Sequence, residues 1–284
     1  MKNKIWMPLA GLGALGLALA VPGAAMASPA QSGSGSTTYQ ANLQPVPLNT
    51  PTGAASGHLT LQLSGDQATI TEQVTGLGAT LPASTKTLSG LHIPSSLAGK
   101  PFPHVQHIHG DAKGTCPTAS DATNGLITVQ AAAPDYGPIL TTLSESGSTA
   151  ASSGADVTIA PSGGSYTYSR TVTLDSTTVN AIKDGTAVIV VHGLDPATAP
   201  MSSLTTPNTV GLTLPGETQQ VAAVATAPAL CGALTSMPSG APVTGGGGTA
   251  GTQNEGLFGV GGALLAGGLA VGGVAYSRRR RAHL

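Results

Sequence analysis

His107-Ile108-His109 places two imidazoles two residues apart. On a β-strand, residues i and i+2 face the same side with Cα atoms about 7 Å apart, so both rings can converge on one metal ion. A third histidine, His192, ends the apolar run Ala187-Val188-Ile189-Val190-Val191. A titratable ring at the end of a buried strand needs a partner, and a metal ion is one. His104 precedes His107 by three residues, which turns it to the other face of a regular strand; from a loop after Pro103 it could still reach the site. Sets of two or three imidazoles hold Cu(II) or Zn(II). The same histidines also read as a hydrogen-bonded cluster without metal, and both readings stay open. His92 is a more distant candidate, whereas His58 and His283 carry no signal.

The chain has two cysteines, Cys116 and Cys231. An even count in an exported chain suggests one disulfide; the alternative is two free thiols. Asp121-Ala122-Thr123-Asn124-Gly125 hints at a calcium loop, but the ligand run breaks at Leu126 and no Glu closes it, so it reads as a turn. Tyr136, Tyr166 and Tyr168 read as strand residues. No Gly-x-Ser-x-Gly elbow is present, which leaves a hydrolase unsupported.

The elements that must position these groups read as β. Leu59, Leu61 and Leu63 alternate with polar residues, Ser64–Gln67 makes a turn, and Ala68, Ile70 and Val74 follow. Further short strands are expected at 126–132, 139–145, 155–159, 165–174, 187–191 and 221–225, separated by Gly, Pro, Ser and Asp. Ser176–Lys183 reads as one short helix. The expected fold is all-β, an antiparallel sandwich or barrel over 55–235. Residues 28–54 read as a flexible spacer with room for a first strand near its end, and 236–256 as a Gly-rich linker.

Only 8% of the 284 residues are charged. Between residues 28 and 244 five basic residues (Lys86, Lys100, Lys113, Arg170, Lys183) face eleven acidic ones. An acidic middle argues against a nucleic-acid partner, whose phosphates need a basic face.

The ends read as addresses. Lys2 and Lys4, an apolar run to Val21 and Ala25-Met26-Ala27 make a signal peptide over 1–27. Residues 257–276 carry no charge and at about 1.5 Å per residue can cross a ~30 Å hydrocarbon layer as a transmembrane helix. Arg278–Arg281 in the tail 277–284 keep that end inside and the bulk of the chain outside. Ala241-Pro242-Val243-Thr244-Gly245 just before the span resembles the LPxTG-like sorting signal of Gram-positive bacteria, with Ala in place of Leu. That resemblance implies a sortase cutting between Thr244 and Gly245 and linkage to the cell wall. A plain membrane anchor is the alternative. Either way the protein is expected at the cell surface.

A wider resemblance runs through the middle. Gly57–Ile70 followed by Val74-Thr75-Gly76-Leu77 is similar to the opening strands of Cu/Zn superoxide dismutases and CHRD domains. His107-Ile108-His109-Gly110-Asp111 resembles the dismutase His-x-His copper ligands. Cys116 and Leu230-Cys231-Gly232 resemble the segments of its disulfide, and Val188–His192 resembles the strand bearing its late copper ligand. The resemblance covers about 55–235 and implies a Greek-key β-barrel, a copper site at His107, His109 and His192 with His104 as a possible fourth ligand, and a Cys116–Cys231 bridge. Two departures matter. No His lies between Cys116 and His192, so the family's zinc site is not expected. No Arg stands just before Cys231, so the family's superoxide-attracting cation is missing. The expectations are a copper-binding domain with weak or no dismutase activity, a non-enzymatic structural or adhesion module, or a copper-only dismutase. No catalytic residue is assigned.

Overall fold

Alternating Leu59, Leu61 and Leu63 form strand β2 (Ser56–Ser64), which turns into β3 (Gln67–Thr75) with strictly alternating buried and exposed residues. The computed structural model describes residues 35–49 and 55–238. Within it lie β1 (Thr37–Pro45), β4 (Gln106–His109), β5 (Ile139–Thr142), β6 (Ser165–Thr173), β7 (Val188–His192), β8 (Pro228–Ala233) and β9 (Thr235–Ser236). All pairings are antiparallel, in the order β5-β4-β7-β8-β1-β2-β3-β6, with β9 also on β1.

The sheet curls around one apolar core. Tyr39, Leu43, Leu61 and Ile70 from one half meet Ile108, Ile189, Val191 and Leu230 from the other. Helix α3 (Ser176–Lys183) adds Val179 and Ile182. It starts where the Asp175 carboxylate accepts from Thr178 N–H, a side-chain cap on an orphan donor. Three further helices, α1 (Thr85–Gly90), α2 (Val129–Tyr136) and α4 (Met201–Thr205), lie in the connections.

Several expectations are corrected here. Residues 28–54 are not all spacer: Tyr39, Ala41 and Leu43 alternate with polar residues, and β1 joins β8 to β2 in mid-sheet. The strand expected at 126–132 is mostly helix α2, because Ala-rich sequence favours helix and the Thr128 hydroxyl caps Ala131 N–H. At 155–159 the Asp156 carboxylate accepts from the Thr158 amide and hydroxyl, a local bond that competes with pairing. Residues Ala223–Ala225 form a 3₁₀ turn. The signal peptide 1–27, the span 257–276 and Pro242, Thr244 and Gly245 lie outside the described residues. Among the described residues no helix is long and apolar enough to cross a membrane.

Strands β4, β7 and β8 have a second apolar layer. Their inner face feeds the main core. Their outer face carries His107, His109, Val188, Val190, His192 and Cys231, and is covered by the long connections. One patch there packs Val188, Val190 and Cys231 against Ile127, Ala132 and Tyr136. A second joins Leu81, Leu88, Ile93 and Phe102 to Leu214 and Val224.

Candidate metal centre

Register brings the three imidazoles together. His107 pairs with Val190 and His109 with Val188, so residues two apart on β7 share their face. His192 stands one step beyond, its amide donating to Val105 O at 2.9 Å. The ring centroids are 5.4 Å apart for His107 and His109, 5.1 Å for His107 and His192, and 5.9 Å for His109 and His192. One ligand nitrogen from each ring lies within 4.8 Å of the other two. All three are buried, at 2 to 3% exposure.

Each ring spends one nitrogen on a backbone carbonyl. His107 Nε2 donates to Gly154 O at 2.9 Å, His109 Nδ1 to Gly137 O at 2.9 Å, and His192 Nδ1 to Thr226 O at 2.7 Å. A carbonyl only accepts, so the proton sits on the nitrogen that faces it. The other nitrogens, His107 Nδ1, His109 Nε2 and His192 Nε2, are buried without a partner among the described residues. Outer carbonyls that fix the tautomer and leave the inner lone pair free are the usual support of a metal-bound histidine.

Electrostatics keep the trio neutral. Burial lowers His192 to about 4 against the opposing pull of the Thr226 carbonyl. Burial, then His192, lowers His109 to about 3. Burial, then the charges of His192 and His109, holds His107 well below the usual histidine range. Neutral imidazole is the ligand form, so no proton must leave at neutral pH before a metal binds.

His104 does not join them. Its Nδ1 lies 3.1 Å from His192 O and its Nε2 2.9 Å from Gly78 O; the buried, neutral ring donates to one of these carbonyls and is not part of the group of three. Its ring instead packs on Phe102 at 4.8 Å. The expected fourth ligand is therefore a brace that ties the end of β7 to the Gly78 loop. His92, at φ +54°, is also outside the group.

No family model matches the sequence, and no curated protein matches it either.

Several contributors escaped the sequence reading. Tyr136 ends α2 rather than a strand and lies 4.5 Å from the His109 ring. The carbonyls of Gly137, Gly154 and Thr226 aim the imidazoles, and a carbonyl leaves no residue signature. Two of them belong to glycines under pressure. Gly137 has φ +83° and ψ −171°, a region open essentially to Gly alone, and a Cβ there would strike the Gly110 carbonyl oxygen. A Cβ on Gly154 would lie 2.8 Å from Ile139 Cδ1 and 3.0 Å from His107 Nε2. Gly137→Ala is expected to cost about 3 kcal/mol and to free the His109 ring. Denaturant melts and the His109 ring NMR signals check it; unchanged values in both would refute the carbonyl's role.

Proposed function

We propose that the chain is an exported, surface-anchored protein whose β domain is a Greek-key, dismutase-like barrel. In this reading it binds one copper ion through His107, His109 and His192, with weak or no dismutase activity. The observation that carries the reading is the set of three buried nitrogens without partners. A purely structural cluster would satisfy them, since each unsatisfied buried group costs about 1–3 kcal/mol. A shared cation repays all three at once.

The donor set fits the ion. Three imidazoles without a carboxylate suit copper, which binds most tightly among the divalent first-row metals. Bound copper supplies one-electron redox chemistry. The chain's own residues hold the ring protons on the Gly154, Gly137 and Thr226 carbonyls and leave the opposite ring nitrogens free to bind. The low activity follows from what the sequence omits: no Arg stands just before Cys231, and the acidic domain repels an anion such as superoxide. A copper-only dismutase would need His104 as its fourth ligand, and that ring lies against the Gly78 and His192 carbonyls, outside the group of three.

Export rests on the signal-like 1–27 and anchoring on the span 257–276. Pro242, Thr244 and Gly245 support a sortase and the cell wall as partners.

Protein purified from an oxidising compartment, loaded with Cu(II) and dialysed, is expected to retain one copper per chain. The His107→Ala/His109→Ala variant is expected to retain none. Absence of stoichiometric copper in folded wild-type protein would replace this reading with a CHRD-type structural module.

A further inference from the structure

His107 and His192 form part of the wall of a cavity of about 560 Å³ on the outer face of the sheet. Most of the remaining wall is hydrocarbon, including Leu81, Ile93, Phe102, Ile139, Val157 and Leu214. Among the described residues no Asp, Glu, Lys or Arg lines it. Ala155 and Val210 line it and also reach solvent, Val210 at 52% exposure, so they mark its mouth. The volume lies in the usual range for small-molecule sites, about 300–1,000 Å³.

We infer that this cavity binds one neutral, apolar small molecule whose single polar end meets the imidazoles of His107 and His192. A wall without charges cannot repay the desolvation of an ion, whereas it gains roughly 25 cal/mol for each Å² of apolar ligand surface it covers. The same wall contains two polar rings, His107 and His192, that are 97 to 98% buried, beside Gly154 and Thr226, whose carbonyls accept from them. That pairing of a hydrocarbon body with one polar anchor is the usual composition of a small-molecule site. The substrate or effector class of the centre is then a hydrophobic molecule with one nitrogen or oxygen terminus. Contact of that terminus with a bound ion rests on the copper reading; the cavity does not.

The test uses the whole exported chain, metal-free and copper-loaded. N-Phenyl-1-naphthylamine is a neutral apolar fluorophore, and 8-anilinonaphthalene-1-sulfonate adds a negative charge to the same skeleton. The metal-free protein is expected to bind one neutral probe saturably, and the anionic probe at least tenfold more weakly. Ala155→Trp, which fills the mouth from an exposed position, is expected to weaken the neutral probe at least tenfold with an unchanged melting curve. Val210→Asp is expected to do the same by placing a charge there. No saturable binding, equal affinity for the two probes, or wild-type binding by both variants would overturn the inference. In the copper-loaded protein, 4-phenylimidazole is expected to shift the Cu(II) visible band at a concentration at least tenfold below imidazole. Equal concentrations would show that the cavity does not lead to the centre. A protein that takes the neutral probe but no copper would sink the copper reading and leave the cavity standing.

Discussion

Cys116→Ser is expected to lower the melting temperature by about 10–20 °C without reductant. The bridge joins Cys116 to Cys231 across 115 residues. Loop-closure entropy for that length amounts to about 5 kcal/mol in the chain-entropy model. For a domain of this size each kcal/mol moves the midpoint by about 2–4 °C. The bridge also reaches the candidate centre. Cys231 lies opposite Val190 on the sheet face that carries the histidines, and Cys116 holds the connection after β4 against that face. The far end of that connection supplies Tyr136 and the Gly137 carbonyl, both in contact with His109. Loss of such outer support typically costs 10–100-fold in metal affinity, so the variant is expected to bind copper at least tenfold more weakly. Scanning calorimetry and competitive copper titration read the two effects. Equal melting temperatures would remove the bridge from the stability account.

The second large effect concerns Glu72. It occupies an inward position of β3, between Ile70 and Val74, at 1% exposure. Its register partner on β6 is Tyr168. Among the described residues neither carboxylate oxygen makes a hydrogen bond, and neither does the Tyr168 hydroxyl. Burial raises the carboxyl to about 8; the nearby Gln106 amide pulls the other way without making a bond of proper geometry. The folded state thus keeps a proton that the unfolded chain releases near 4.5. Stability from this group is fully present below pH 4.5 and is lost as pH rises to about 8, a loss of about 4 kcal/mol. Glu72→Gln keeps the shape and removes the titration. Urea melts from pH 5 to 9 are expected to show a falling wild-type curve and a variant curve without that fall, the variant being the more stable by pH 8. Parallel curves would refute a buried, protonated Glu72.

Legibility in the sequence followed local periodicity. The β2–β3 hairpin shows because Leu59, Leu61, Leu63 and Ile70 alternate with polar neighbours. The short helix at 176–183 shows through Asp175 and Val179, Ala181 and Ile182. The trio of histidines was readable because two share a strand face and the third ends a buried run. What failed depended on tertiary context. β1 hides in a Ser-, Thr- and Gln-rich stretch, and only its pairing on both sides makes it central. The run after Leu126 offers hydrophobicity without period, and the Thr128 cap decided for helix. His104 looked like a ligand because the sequence carries no trace of the Gly78 and His192 carbonyls that occupy it. Glu72 sat in the alternation of β3 as a polar residue at an apolar position, a signal that could have marked it.

The place of β1 sets the order of assembly. It is the first described strand to leave the ribosome, yet one of its flanks is covered only by β8 and β9, whose residues lie beyond position 227. The middle of the sheet is therefore made early and completed last. Until Pro228–Ala233 emerges, β1 presents bare amide and carbonyl groups along that flank, open to pairing with another chain. Contacts so far apart in sequence also make folding slow. A chain cut anywhere before Pro228 is not a smaller version of this domain. It is a sheet split through its centre, with Cys116 left without its bridge partner.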